Sequence, residues 1–136
     1  LHTAAAQPLA LSNWSCHDAA AACSIPAGAV VPPRGYLVLC SALLAFQALF
    51  PGVTNAIGDL GFGFKGSTER LELRKPDGSL FDVVHYSDQP PWPTGPDGNG
   101  PTLELYEPHL DNAQAASWRA SLGLGGTPGA KNSVTP

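Results

Sequence analysis

Three cysteines and four histidines are the side chains in this sequence best equipped for chemistry. Cys16 and Cys23 flank a six-residue loop. On adjacent strands they would take matching inward positions, where a disulfide needs Cα atoms about 5.5 Å apart. The alternative is a pair of buried thiols, because a bridge also requires an oxidising compartment. Cys40 ends an apolar run and reads as a small buried hydrophobe. As a nucleophile it would need a nearby base, and the sequence places none. His2, His17, His85 and His109 show no metal-ligand spacing. His17 with Cys16 and Cys23 offers zinc-type donors, at a spacing that matches no strong pattern. His85 and Asp82 with a serine would make a triad. However, residues an odd number apart on a strand point to opposite faces, and no Gly-x-Ser-x-Gly elbow presents a nucleophile.

The remaining candidates belong to binding. Asp97-Gly98-Asn99-Gly100 resembles part of a calcium loop, with Asp97 and Asn99 as weak metal candidates. It lacks the third acidic position and the closing glutamate. A turn whose Asp and Asn bond their own backbone is the preferred reading. Trp92 lies in a proline-rich loop, where it can stack on a sugar or lie over the domain as a lid. Gly61 to Gly66 is glycine-rich but lacks the Lys-Ser/Thr ending of a phosphate cradle. Trp14 and Trp118 sit in strand-like runs and read as structural. Asp82 falls within an apolar strand. A carboxylate there must be hydrogen-bonded, and a neighbouring loop is the expected partner.

The elements that must position these residues are mostly strands. Glu69–Tyr86 reads as one hairpin. Leu71 and Leu73 alternate with Arg70, Glu72 and Arg74, and Pro76-Asp77-Gly78 supplies the turn. The second arm is apolar on both faces, so a central strand covered on both sides is expected. Leu11–Cys16, Cys23–Ile25, Gly35–Cys40, Thr102–Tyr106 and a short run from Trp118 add further strands. Ser41–Phe50 is the one convincing helix. Ser41 is its expected cap, Pro51-Gly52 its stop, and an apolar side its means of packing on a sheet. Seven or eight short strands with frequent turns predict an all-β, immunoglobulin-like sandwich.

Bulk composition excludes several classes. The 136 residues suffice for one domain. Charged residues are only 13% of the chain and the net charge is −4, so the clustered Lys/Arg of a nucleic-acid footprint is missing. No apolar run approaches the roughly 20 residues of a membrane-spanning helix. Leu1 is not an initiator, and no signal peptide is recognisable, so the chain reads as an excised piece.

Several pieces together resemble the lamin tail domain family, in its bacterial-type extracellular form. They are Leu11-Ser-Asn-Trp14, Ile25-Pro-Ala-Gly28, Pro33-Arg-Gly-Tyr-Leu-Val-Leu39, Leu71-Glu-Leu73, Pro76-Asp-Gly78 and Asp82-Val-Val-His-Tyr86. Trp92-Pro93, Gly98-Asn-Gly100, Leu103-Glu-Leu105, Asp111-Asn112, Trp118-Arg-Ala-Ser121, Gly125-Gly-Thr-Pro-Gly-Ala130 and Asn132 follow in order. The resemblance implies a sandwich domain over 9–132, a linker remnant over 1–8 and a tail over 133–136. It implies an N-terminally truncated domain, because members open with a further stretch before the Leu-Ser-x-Trp motif. It implies a non-catalytic module for binding, anchoring or spacing in a larger secreted or surface protein. No cofactor is implied. Expected partners are other domains of the same polypeptide, a cell-surface protein or a glycan. The alternative is a carbohydrate- or calcium-dependent binding domain serving an attached hydrolase or nuclease, with Trp92 and Asp97 at the contact.

Overall fold

The computed structural model describes residues 1–61 and 63–136. Phe62, inside the glycine-rich stretch expected as a loop or a weak strand, lies outside the described residues. The chain is an all-β, sandwich-like fold of short strands, mostly antiparallel, with one short α-helix among the described residues. The main sheet has four strands in the order β3 (Ala22–Ser24), β2 (Ser15–His17), β7 (Glu69–Arg74), β8 (Leu80–Tyr86). Two-stranded pairs surround it. β1 (Leu9–Ala10) pairs with β4 (Val30–Val31), and β9 (Pro101–Leu105) pairs with β10 (Trp118–Leu124). β5 (Val38–Leu39) runs parallel to β6 (Ala56–Ile57).

The predicted hairpin forms, with Lys75–Ser79 as its turn. Gly78 takes φ +83°, the left-handed region that glycine enters without a Cβ penalty. The Asp77 carboxylate accepts from both the Ser79 amide and hydroxyl, which pulls its pKa down. The expected position of β8 is corrected. It is an edge strand, with Leu80 and Phe81 about half exposed. Its apolar residues on two faces arise partly from a register shift between Leu73 and Arg74, which throws Leu80 and Phe81 out of alternation. Phe81 then meets Trp14 edge-on, at 4.8 Å between ring centroids.

The helix is also corrected. α1 spans Leu43–Leu49, and Ser41 does not cap it. Asp59 does so from a distance in sequence: its Oδ1 accepts from the Leu43 amide at 3.2 Å. No residue of α1 is buried, and Leu44 and Leu49 are 82% and 76% exposed. The helix is therefore held by its ends rather than by an apolar face on a sheet. Phe46 contacts Phe50, and Phe50 lies against Gly125.

Buried apolar side chains form one cluster. Leu11, Trp14, Ile25, Val31 and Leu37 are buried together, with Leu73 reaching them from β7. A buried carboxylate ties the carboxy-terminal residues to β9. Thr102–Tyr106 alternates as predicted, but Glu104 is its buried residue, at 4% exposure. Glu104 accepts from the Thr127 amide and hydroxyl, the Ser133 hydroxyl and the Val134 amide. Asn132 adds a bond from Nδ2 to the Leu105 carbonyl. The carboxy-terminal residues are thus tied down by polar bonds to β9, not by an apolar anchor. Truncating a buried acceptor with several charge-assisted bonds leaves its donors unpaired. Glu104→Ala should therefore lower unfolding free energy by about 2–4 kcal/mol in denaturant titration, with Glu104→Gln intermediate.

Candidate functional site

The four strands of the main sheet present one continuous row of side chains. Cys16 of β2 lies opposite Cys23 of β3 on one side and Leu73 of β7 on the other. Leu73 in turn lies opposite Asp82 of β8, and Leu71 opposite Val84. Residues directly opposite share a face. Cys16, Leu71, Leu73 and Val84 therefore make a mainly apolar floor, with Asp82 at its edge. Above this floor is a cavity of about 510 Å³, which Leu1, Leu39 and Cys40 also line. A smaller cavity of about 220 Å³ adjoins it and shares Leu1, Leu73, Asp82 and Asn112.

The polar groups at this site are already engaged. Asp82 is exposed rather than buried, because β8 is an edge strand. Both its oxygens accept from Asn112 Nδ2, at 2.9 and 3.0 Å, and Oδ1 also accepts from the Val83 amide. The neighbouring loop is thus tied by a side-chain amide, not by a set of backbone N–H groups. Asn112 also places its carbonyl to accept from Trp118 Nε1 at 2.9 Å. Asp82, Asn112 and Trp118 therefore form one chain from the cavity rim to β10. Glu72 leaves the row by alternation and is clamped between Arg70 and Arg74.

The thiols at the cavity are poor nucleophiles. Burial pushes the Cys16 thiol up to about 12, and the neighbouring Cys23 adds to the shift. Burial raises Cys23 and Cys40 as well, and the Cys40 thiol donates to the Ile57 carbonyl at 3.4 Å. Cys16 and Cys23 stand as free thiols directly across the ladder. The bonds Ile25 to Trp14 and Asp18 to Ala21 flank them at even spacing, so theirs is a hydrogen-bonded pair. Such pairs hold Cα atoms about 5.5 Å apart, within reach of a disulfide.

Ser15 and His17 make a contact that the sequence reading missed. They share one face of β2, and Ser15 Oγ lies 2.8 Å from His17 Nε2. A serine and histidine two apart on a strand was the available signal. Glu72, opposite His17 in the ladder, is occupied by its arginines instead. His85 is exposed and faces away from Asp82 on β8, so these two do not meet. Among the described residues no group of three His, Cys, Asp or Glu side chains is placed to hold a metal.

The other candidates lie elsewhere. Trp14 is in the buried core. Trp92 is half-buried with its ring 6.0 Å from that of Trp118, lying over β10. Asp97 and Asn99 sit in an exposed turn, where Asn99 Nδ2 donates to the Asp97 carbonyl. Comparison of the chain with family models, with curated proteins and with solved structures returns no match.

Two outcomes follow from this geometry. Asp82→Ala should lower thermal stability by about 0.5–1 kcal/mol, and Asp82→Asn by less, since an amide oxygen still accepts from Asn112. Equal, near-zero effects would contradict the tie. The Tyr86 phenol, beside buried Glu69, is pushed up to about 12, first by burial and then by that carboxylate. Above pH 10 the unfolded chain loses this proton while the folded one keeps it, so stability falls as pH rises towards 12. Tyr86→Phe should flatten that alkaline slope in melts from pH 9 to 11.

Proposed function

We propose that the chain is a non-catalytic, lamin-tail-like module with an immunoglobulin-like sandwich, which binds through its apolar cavity. It serves a larger secreted or surface protein, with other domains of that polypeptide or a cell-surface molecule as partners. The observation that carries this reading is the cavity itself. It is of ligand-binding size, floored by a sheet face, mainly apolar, and rimmed by a few fixed polar groups. The candidate reactive groups support binding over catalysis. The Cys16 thiol is held protonated, Asp82 is committed to Asn112, and Ser15–His17 has an engaged carboxylate across the ladder. A carbohydrate or calcium reading centred on Trp92 and Asp97 has less support, because the half-buried Trp92 ring already lies against that of Trp118.

An environment-sensitive apolar dye, 8-anilinonaphthalene-1-sulfonate, tests the reading. Its fluorescence should rise on binding the folded protein, and Leu71→Trp, which fills the cavity, should abolish the rise. Ser15→Ala should leave an esterase and phosphatase screen unchanged. Any turnover lost in Ser15→Ala would contradict the non-catalytic assignment.

A further inference from the structure

β3 is the other outer strand of the main sheet, and its one neighbour there is β2. The middle pair of their short ladder is Cys16 with Cys23. Its place between the bonds at Ile25 and Asp18 makes it a hydrogen-bonded pair. Such a pair sets the Cα atoms about 5.5 Å apart, a usual separation across a disulfide. The Cys16 and Cys23 thiols also interact directly with each other. Cys40 is engaged elsewhere, with its thiol on the Ile57 carbonyl. What holds Cys23 also holds part of the core. Ile25, two residues on, is buried in the apolar cluster, and its amide donates to the Trp14 carbonyl at 2.7 Å.

We propose that Cys16 and Cys23 are an oxidation site, which a low-molecular-weight disulfide converts to one bond that staples β3 to β2. The inference is independent of the cavity, because the pair belongs to a local hairpin whatever lies on the face beside it. An oxidising compartment supplies the oxidant. The reaction balances in two exchanges. One cysteine thiolate attacks a sulfur of the small disulfide, breaks its S–S bond and releases one small thiol. The other cysteine, as thiolate, attacks the protein sulfur of that mixed disulfide and releases the second. The two cysteines lose two electrons, the small disulfide gains them, and the two cysteine protons leave on the released thiols. The folded environment sets the timing. Burial holds both thiols protonated, so the attacking thiolate is scarce once the chain has folded. The unfolded chain has no such burial. The bond is therefore made as β2 and β3 meet, and the folded, reduced chain oxidises slowly. Once made, it stabilises by restricting the unfolded chain, through a short loop that limits the gain.

The experiment refolds the whole chain from denaturant, in oxidised glutathione or in dithiothreitol, and maps the products by mass. Trypsin leaves Cys16 and Cys23 together on residues 1–34 and Cys40 on residues 35–65. The expected oxidised product is a 1–34 peptide lighter by two hydrogens and not joined to 35–65. The oxidised chain should melt about 5–10 °C above the reduced one. Oxidised glutathione added after folding should form the bond more slowly, by about tenfold or more. Cys40→Ser should change neither the bond nor the shift, and Cys23→Ser should cancel the shift. Should Cys23→Ser not fold, the unaltered chain in the two media supplies the comparison. Cys16 and Cys23 left as thiols, or each capped by glutathione, would overturn the proposal. A cross-link between the two peptides would overturn it too, by assigning the bond to Cys40. A bond within 1–34 that leaves melting unchanged would overturn the staple, and equal rates before and after folding would overturn the timing.

Discussion

Leu73 of β7 lies between Cys16 on one side and Asp82 on the other, and this register fixes every feature of the cavity floor. Side chains alternate along a strand, so a slip of one residue would turn Leu71 and Leu73 outward and bring Arg70, Glu72 and Arg74 into the floor. The Arg70–Glu72–Arg74 cluster opposes that slip, because it would carry three charged side chains into an apolar floor. The turn at Asp77-Gly78 and the irregularity after Leu73 pin the hairpin in the same register. Cavity, rim and exposed edge all descend from this one alignment.

Polar ties hold the periphery to that frame. Asp59 caps α1, Asp82 fixes Asn112, and Glu104 gathers the carboxy-terminal residues. Each is a carboxylate reaching across a long stretch of sequence. The apolar core is small, built from a few residues around Leu11 and Ile25, and these ties take up positions that packing leaves open. Such an arrangement leaves apolar surface uncovered on the helix and around the cavity, which suits a domain that meets something else.

The all-β class, the hairpin and its turn were legible because alternation and Pro-Asp-Gly are local signals. The opposition of Cys16 and Cys23 was legible from the loop between them. The position of β8 was not, since an apolar strand reads alike at the centre of a sheet and at an edge beside a cavity. The cap of α1 was not, since Ser41 is a plausible local cap and Asp59 acts only once β5 and β6 pair. In Thr102–Tyr106 the strand was legible, but which of its side chains is buried was not. Donors distant in sequence, at Thr127 and Ser133, draw Glu104 in. The cavity itself has no sequence signature, because it arises where β5, the amino-terminal residues and the main sheet converge.

The central claim is that an accessible apolar cavity lies on the β2–β7–β8 face. Xenon enters apolar cavities and carries no polar requirement of its own. The most direct measurement is methyl-detected NMR of the folded protein under xenon pressure. Saturable shifts confined to the methyls of Leu39, Leu71, Leu73 and Val84 are the predicted result. Unperturbed methyls at these four positions, at pressures that shift a control cavity protein, would contradict the account.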